Sequence, residues 1–340
     1  MSQARTSLRL ATWNVEWFDQ LFDEDGQPLQ VQEHGRYGVP KARQLDAIAG
    51  VLRAIDADAI VIQEAPDTSM RRAGGAALEI FAEQAGLRMS RSLLGFPNDT
   101  QQEIALLYDP DRVTPSHAPG QSPEAPRFDR IFQLDVDLDL RADRLAWSKP
   151  PLEIDLEVEG EVLHLIGVHA KSKAARGAKD ADDAMRIAIQ NRRKQLAQCI
   201  WLRRRVDQRL AEGRRLIVAG DFNDGPGLDR FEALFGRSGL EIVLGDGPDA
   251  LYDPAARPPR LGAAQPATAR FWDSHAECYM NALIDFAMVD AGLVPRAHWT
   301  ILHPFDAPRA LKDPALQRDL LDASDHFPVI LDLAPASPHI

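Results

Sequence analysis

The sequence predicts an α/β fold in one large domain, and three observations carry the prediction. Apolar runs of strand length recur between residues 8 and 333, segments with a helical three-and-four stripe fill the gaps between them, and no linker of biased composition divides the chain. At 340 residues and 45% hydrophobic composition the chain has enough apolar material for a large core. Residues 1–340 therefore read as a single domain with its core over 8–333.

Leu8 to Glu16 reads as a strand carrying Asn14 and Glu16 on one face, because side chains two apart share a side of an extended segment. Lys41 to Ile55 spaces Leu45, Ile48, Leu52 and Ile55 by three, four and three, the stripe of a helix lying on a sheet. Ala59 to Glu64 is an apolar run closed by a carboxylate, and Val162 to His169 is one closed by an imidazole. From Asp182 to Leu210 a second helix is predicted, with Met185, Ile189, Leu196 and Ile200 as its core stripe. Leu216 to Asp224 delivers Asp221 and Asn223 to a strand end, where they can be aimed into one cleft. Ala282 to Val289 buries Asp285 in an apolar strand, and Ser324-Asp325-His326 precedes the last strand. The Pro-rich stretches Thr114 to Pro126 and Asp253 to Pro266 read as surface loops.

A net charge of −12 argues against passive adhesion to nucleic acid or anionic membrane. The charge is uneven, however: His169 to Arg215 holds fourteen Lys/Arg against five Asp/Glu. The helical arginines read as a solvated face, whereas Lys171 and Lys173 alternate onto the side of His169 if the chain stays extended, a placement suited to a phosphate. Met1 to Arg9 lacks the apolar core of a signal peptide and no run of about 18 apolar residues is present, so a cytoplasmic protein is expected. Cys199 and Cys278 read as ordinary free thiols. Among nine histidines only His169 and His326 have neighbours that single them out; His164 reads as structural, and His34, His275 and His303 lie outside any motif.

Taken in order, Trp13-Asn14, Gln63-Glu64, Val168 to Lys173, Gly220 to Asp224, Ile284-Asp285 and Ser324-Asp325-His326 resemble the motifs of the endonuclease/exonuclease/phosphatase superfamily, which includes deoxyribonuclease I, exonuclease III, sphingomyelinases and inositol polyphosphate 5-phosphatases. The resemblance spans residues 8 to 333. It implies a four-layer α/β/β/α sandwich of two stacked mixed β-sheets with the site at one edge. It also implies hydrolysis of a phosphate ester by in-line attack of water. The candidate ligands are oxygen donors, which suit a hard divalent cation: Mg²⁺, with Mn²⁺ as substitute, held by Glu64 with Glu16 and Asp325. Asn14 would complete the shell or hold phosphate. Asp221 would position and deprotonate the water, with Asn223 bracing the same phosphate. His326, paired with Asp285, would act either as base or as an imidazolium holding the phosphate. His169 would donate a hydrogen bond to the phosphate or protonate the leaving group, and Lys171 and Lys173 would contact phosphate.

Three functions compete. A nuclease acting on DNA or RNA leads, on the basic segment and the Val168 to Lys173 run. A phosphatase or phosphodiesterase for inositol phosphates, lipid headgroups or other small esters is the alternative, on the acidic total. A catalytically inactive binding module is opposed by the reactive side chain kept in each motif. The insertions with which abasic-site endonucleases grip bent DNA are not evident. Ser148-Lys149-Pro150-Pro151 stands where many relatives have Arg-Pro-Pro, so Lys149 replaces that Arg only as a point charge. Asp273 to Asn281 reads as a substrate rim.

Overall fold

The computed structural model describes residues 8–31, 33, 35–69, 71–98, 102–134, 143–175, 177–227, 233, 236–257, 266–273 and 277–336. Its elements, in chain order, are β1 (Leu8–Asn14), α1 (Lys41–Ile55), β2 (Ala59–Ala65), α2 (Gly74–Gln84), β3 (Arg91–Leu94), β4 (Glu103–Tyr108), β5 (Thr114–His117), β6 (Phe132–Leu134), β7 (Asp143–Leu145), β8 (Leu152–Val158), β9 (Glu161–His169), α3 (Ala181–Ala211), β10 (Arg215–Asp221), α4 (Gly239–Leu244), β11 (Ala269–Asp273), β12 (Cys278–Ala282), β13 (Asp285–Val289), β14 (Ala297–Ile301), α5 (Pro308–Lys312), α6 (Pro314–Ala323) and β15 (Val329–Leu333). One sheet runs β14-β15-β1-β2-β4-β3 and the other β13-β10-β9-β8-β5, with β6-β7 and β11-β12 as separate hairpins. Each sheet contains one parallel pair, β1 with β2 and β9 with β10. A parallel pair needs a crossover, and α1 and α3 supply them.

Alternation along the strands sorts side chains into three layers of core. In β1, Ala11 and Trp13 face the layer shared with Ile48, Leu52 and Leu320 of α1 and α6. Leu8 and Leu10 face the other way, into a layer between the sheets with Ile154, Leu165, Ile217 and Val289. Leu216 and Val218 of β10 pack beneath Trp201, Leu202 and Val206 of α3. The layers are therefore helix, sheet, sheet, helix, the expected α/β/β/α sandwich. Both sheets bury both faces, which explains why their central strands read as nearly continuous apolar runs.

Several local expectations are corrected. Thr114–His117 forms edge strand β5, paired to β8 with Pro115 opposite Leu156, rather than a loop. Proline lacks a ladder N–H and is tolerated there because the strand is an edge. Of the second Pro-rich stretch, residues 258–265 lie outside the described residues. The predicted first strand stops at Asn14, and Asp285 opens β13 rather than sitting inside a strand from Ala282, which closes β12. In α3 the predicted stripe is wrong: Met185 is exposed and Ile189, Leu196 and Ile200 are only partly covered. The buried face instead carries Gln195, Ala197, Gln198, Cys199, Trp201, Leu202, Arg205, Val206 and Arg209. The helix runs 31 residues, and its first half borders an open cleft instead of lying on the sheet, so apolarity there does not report burial.

Candidate active site

The cleft lies where strand ends of both sheets meet. Parallel pairing of β9 and β10 sets Asp221 opposite His169, and antiparallel pairing of β10 and β13 sets Asp221 opposite Asp285. Three functional candidates thus come from one row of the second sheet. Gly220 permits this row: with φ +149°, any Cβ there would lie 2.0 Å from the Val168 carbonyl oxygen. From the first sheet, Asn14 at the end of β1 reaches across, and its Nδ2 donates to Asp221 Oδ2 at 3.0 Å. Asn223, in the left-handed region at φ +50°, folds back on the same carboxylate: its backbone N–H donates to Oδ1 at 2.8 Å and its Nδ2 to Oδ2 at 3.0 Å. The same Nδ2 also donates to the Ala170 carbonyl at 3.1 Å, so the amide orients Asp221.

His326 closes the row. Its Nδ1 lies 2.9 Å and 3.1 Å from the Asp285 oxygens, and both side chains are buried. Trp13 Nε1 donates to the His326 carbonyl at 2.9 Å. Ser324 Oγ donates to the Asn14 carbonyl at 2.7 Å and accepts from the backbone N–H groups of Glu16 and His326, both at 3.1 Å. The first and last motifs of the chain are therefore stapled together, Trp13 and Ser324 serving as positioning residues. Gln63 is occupied structurally, bonded to Thr12 across the parallel pair.

The acidic side of the cleft is made differently. A bulge between Gln63 and Ala65 puts Glu64 at φ +61°, and its Oε2 accepts from the Trp17 backbone N–H at 3.0 Å. A bulge with a non-glycine residue in this region re-aims a side chain at a conformational cost, a feature that clusters at functional sites. Glu16 does not continue the β1 face but pairs with the buried Arg36, which also donates to the Leu321 carbonyl at 3.0 Å. Glu16, Glu64, Asp325 and Asn14 all line the same cleft of about 850 Å³. Burial and the neighbouring Asp325 push Glu16 up to about 7 against the pull of Arg36. Asp325 Oδ1 and Asn14 Oδ1 are buried without a hydrogen-bond partner. An all-oxygen set with repelling acids and unsatisfied acceptors fits a hard divalent cation.

Burial pushes Asp221 up to about 6, with Asp285 adding to the effect while His326, Asn223 and Asn14 oppose it. His326 moves the other way: burial disfavours its charge, but Asp285, Asp221 and Asp325 outweigh it and hold the imidazole well above its ordinary value. Burial, Lys149, His326 and Lys171 keep His169 well below its ordinary value, hence neutral. Lys149 Nζ lies 3.1 Å from His169 Nε2, and His169 Nε2 lies 3.6 Å from Asp221 Oδ2. Asp221, Asp285 and His326 offer ligand atoms within 4.8 Å of one another. Within that group the charged His326 is held against the Asp285 carboxylate.

The basic segment is mostly spent within the fold. Arg205 and Arg209 surround the buried Glu153, Arg214 pairs with Asp155, Arg215 with Asp290 and Arg203 with Asp207. His164, buried, bonds Asp155 at 2.7 Å and is structural as expected. Lys173 does not share a side with His169: β9 ends there, and Lys173 Nζ turns to Asp224 Oδ1 at 2.5 Å. Lys171 lines the cleft with Lys149 and Lys194. Sequence reasoning passed over Arg36 and the glutamines of α3, and counted Lys194 only as part of the basic segment. Gln198 Oε1 accepts from the Lys171 N–H at 2.8 Å, and Gln195 Nε2 donates to the Phe222 and Asn223 carbonyls. Their one available signal was two amides three apart on a helix. Arg176, His34 and His275 lie outside the described residues, as do residues 274–276 of the predicted rim.

Residues 11–326 match the endonuclease/exonuclease/phosphatase family. The chain belongs to that family. Members of the endonuclease/exonuclease/phosphatase family are divalent-metal-dependent phosphoric ester hydrolases, and the chain is an enzyme of that class. Solved structures agree in fold. SmcL is 15% identical with a TM-score of 0.51, covering 96% of this chain and 98% of that one. The human Nocturnin catalytic domain with bound sulfate anion is 15% identical, TM-score 0.50, at 98% and 96% coverage. TDP2 from C. elegans is 14% identical, TM-score 0.50, at 96% and 75%. A search of curated protein sequences finds no significant match. Among the described residues no helix is long and apolar enough to cross a membrane.

Proposed function

We propose that the chain is a Mg²⁺-dependent nuclease that hydrolyses phosphodiester bonds of DNA or RNA, with residues 1–340 forming one catalytic domain. The observation that carries this reading is a cleft that holds cationic and acidic side chains together. Asp221, held by Asn14 and Asn223, lines it with His326, Lys149, Lys171 and Lys194, and Glu16, Glu64 and Asp325 line the same cleft. Several cations beyond those needed for one phosphate suit a polyanion.

Asp221 accepts the proton of water as its oxygen attacks phosphorus in line, and the bond to the leaving oxygen breaks with its electron pair going to that oxygen, which takes a proton from solvent. The three hydrogen bonds to Asp221 fix the lone pair that accepts the proton of water. His326, kept charged by Asp285, donates to a nonbridging oxygen. Neutral His169, backed by Lys149, donates to the same phosphate. Glu64, Glu16 and Asp325 would hold Mg²⁺, which supplies charge stabilisation to the phosphoryl group when bound, and Mn²⁺ is the expected substitute. Asn223 acts on Asp221 rather than on phosphate, and Lys173 positions Asp224. A cytoplasmic setting accompanies this reading, consistent with the exposed free thiol of Cys278.

A small phosphate ester is the second reading, favoured by the internal pairing of the basic segment within a chain of net −12. Supercoiled plasmid separates the two. Nicking of the plasmid, or cleavage of a single-stranded oligonucleotide run beside it, with Mg²⁺ that disappears with EDTA and in Glu64→Ala is the expected outcome; both nucleic acids left intact, alongside turnover of inositol phosphates, would favour the small ester.

A further inference from the structure

Exposed aromatic rings gather at the mouth of this cleft. Trp17, Tyr37 and Trp272 are 39%, 60% and 43% exposed, and all three line it. Two stand on backbone that bulky residues avoid: Trp17 at φ 58°, ψ 28° and Tyr37 at φ 44°, ψ 30°. Holding large aromatic rings partly in water on a left-handed backbone costs free energy twice, a feature that clusters at ligand-binding sites. Each is fixed to the site. The Trp17 N–H holds Glu64, and the Tyr37 ring lies 4.9 Å from the Arg36 guanidinium that pairs with Glu16. Trp272 sits on β11, whose Arg270 N–H donates to the Asp325 carbonyl at 2.7 Å and whose Phe271 ring lies 5.6 Å from His326. Tyr279 of β12 props Trp272 edge-on at 5.0 Å.

We propose that Trp17, Tyr37 and Trp272 form a base-stacking rim that selects unpaired nucleotides, so that substrate enters as a single strand or a frayed end. This rests on the nuclease reading. Bases inside a duplex show only their edges, whereas an unpaired base offers a π-face that an aromatic ring can cover whatever its sequence. The cations Lys149, Lys171 and Lys194 then take the backbone of the same strand.

The test is binding of a labelled oligothymidylate, in chelator so that no cleavage intervenes, against a matched strand of abasic sites. Tyr37→Ala and Trp272→Ala should each weaken oligothymidylate binding roughly five- to a hundredfold. Tyr37→Phe and Trp272→Phe should keep most of it, which separates stacking from misfolding. The abasic strand should bind the parent protein weakly, with no further loss in the alanine variants. Equal affinity for both strands, or phenylalanine variants as weak as the alanine ones, overturns the rim while leaving the nuclease reading intact. A parent protein that neither binds nor cleaves any nucleic acid overturns the nuclease reading itself. Trp272-dependent sedimentation with phosphatidylserine vesicles, without base-dependent binding, would replace the nucleotide by a membrane and overturn the proposal.

Discussion

The second sheet's strand ends and the first sheet's acids share one cleft but are satisfied differently. Asp221, Asp285 and His169 are buried and in place through strand register and the Asn14 and Asn223 amides, and His326, brought in just before β15 of the first sheet, is held to them by its bond to Asp285. Of the acids, Glu16 and Asp325 instead crowd like charges, Asp325 Oδ1 is left without a hydrogen bond, and Glu64 draws on a strained bulge. On the proposed function, the contrast teaches that the proton-handling residues are preorganised by the protein alone, whereas the acids would be completed by a cation. Preorganised donors and acceptors spare the reaction the cost of reorienting them, and that cost is where enzymes gain most.

The sharpest way to break the comparison is Asp221→Asn, which keeps the shape and removes the proton acceptor. Turnover should fall roughly 100- to 10 000-fold, while stabilisation by Mg²⁺ persists because the acidic side is untouched. A loss below tenfold would remove Asp221 from proton transfer. The parent pH profile tests the same residue. Asp221, raised to about 6 by burial, is protonated and inactive as an acceptor below that value, so kcat/KM should climb with pH up to about 6 and then level. A profile already flat at pH 5 would contradict an Asp acceptor in this environment.

The acidic side is tested by heat rather than rate. A cation that binds only the folded state raises the melting temperature, adding about 2.7 kcal/mol at a hundred times its dissociation constant. Glu64→Gln should lose most of that Mg²⁺-dependent shift. The shift in the parent should also shrink below pH 7, where a proton on Glu16, raised to about 7, competes with the cation. An unchanged shift in Glu64→Gln would move the cation to Asp221, Asp285 and His326 and erase the distinction between the two sides.

What the sequence made legible was the inventory of strand ends. A polar residue terminating an apolar run stands out because burying it without a partner is costly, and Asn14, Glu64, His169 and Asp221 are each announced in this way. Local pattern does not encode which ends meet. The row His169, Asp221, Asp285 depends on pairing strands far apart in the chain, and the fold-back of Asn223 depends on a left-handed residue that spacing cannot reveal. Apolar periodicity failed in α3 because the helix passes from an open cleft onto a sheet, so its buried face is marked by Trp201, Leu202 and Val206 in the second half only. Extended alternation failed at Lys173 because β9 stops at His169.

That last failure yields the smallest and most specific test. Lys171 and Lys173 look interchangeable in sequence, two cations flanking one serine, but only Lys171 lines the cleft, while Lys173 is held by the buried Asp224. Asp224 in turn accepts from the backbone N–H groups of Gly225 and Leu240, so the Lys173 charge neutralises a structural carboxylate at the start of α4. A phosphate contact releases counterions, and its loss lowers the slope of log affinity against log salt by roughly 0.7 to 0.9. Lys171→Ala should show that reduction on DNA. Lys173→Ala should leave the slope alone and lower the melting temperature instead, since it strands a buried charge. Equal slope changes in both variants would mean that the two lysines reach phosphate together and that the Asp224 pair opens when substrate binds.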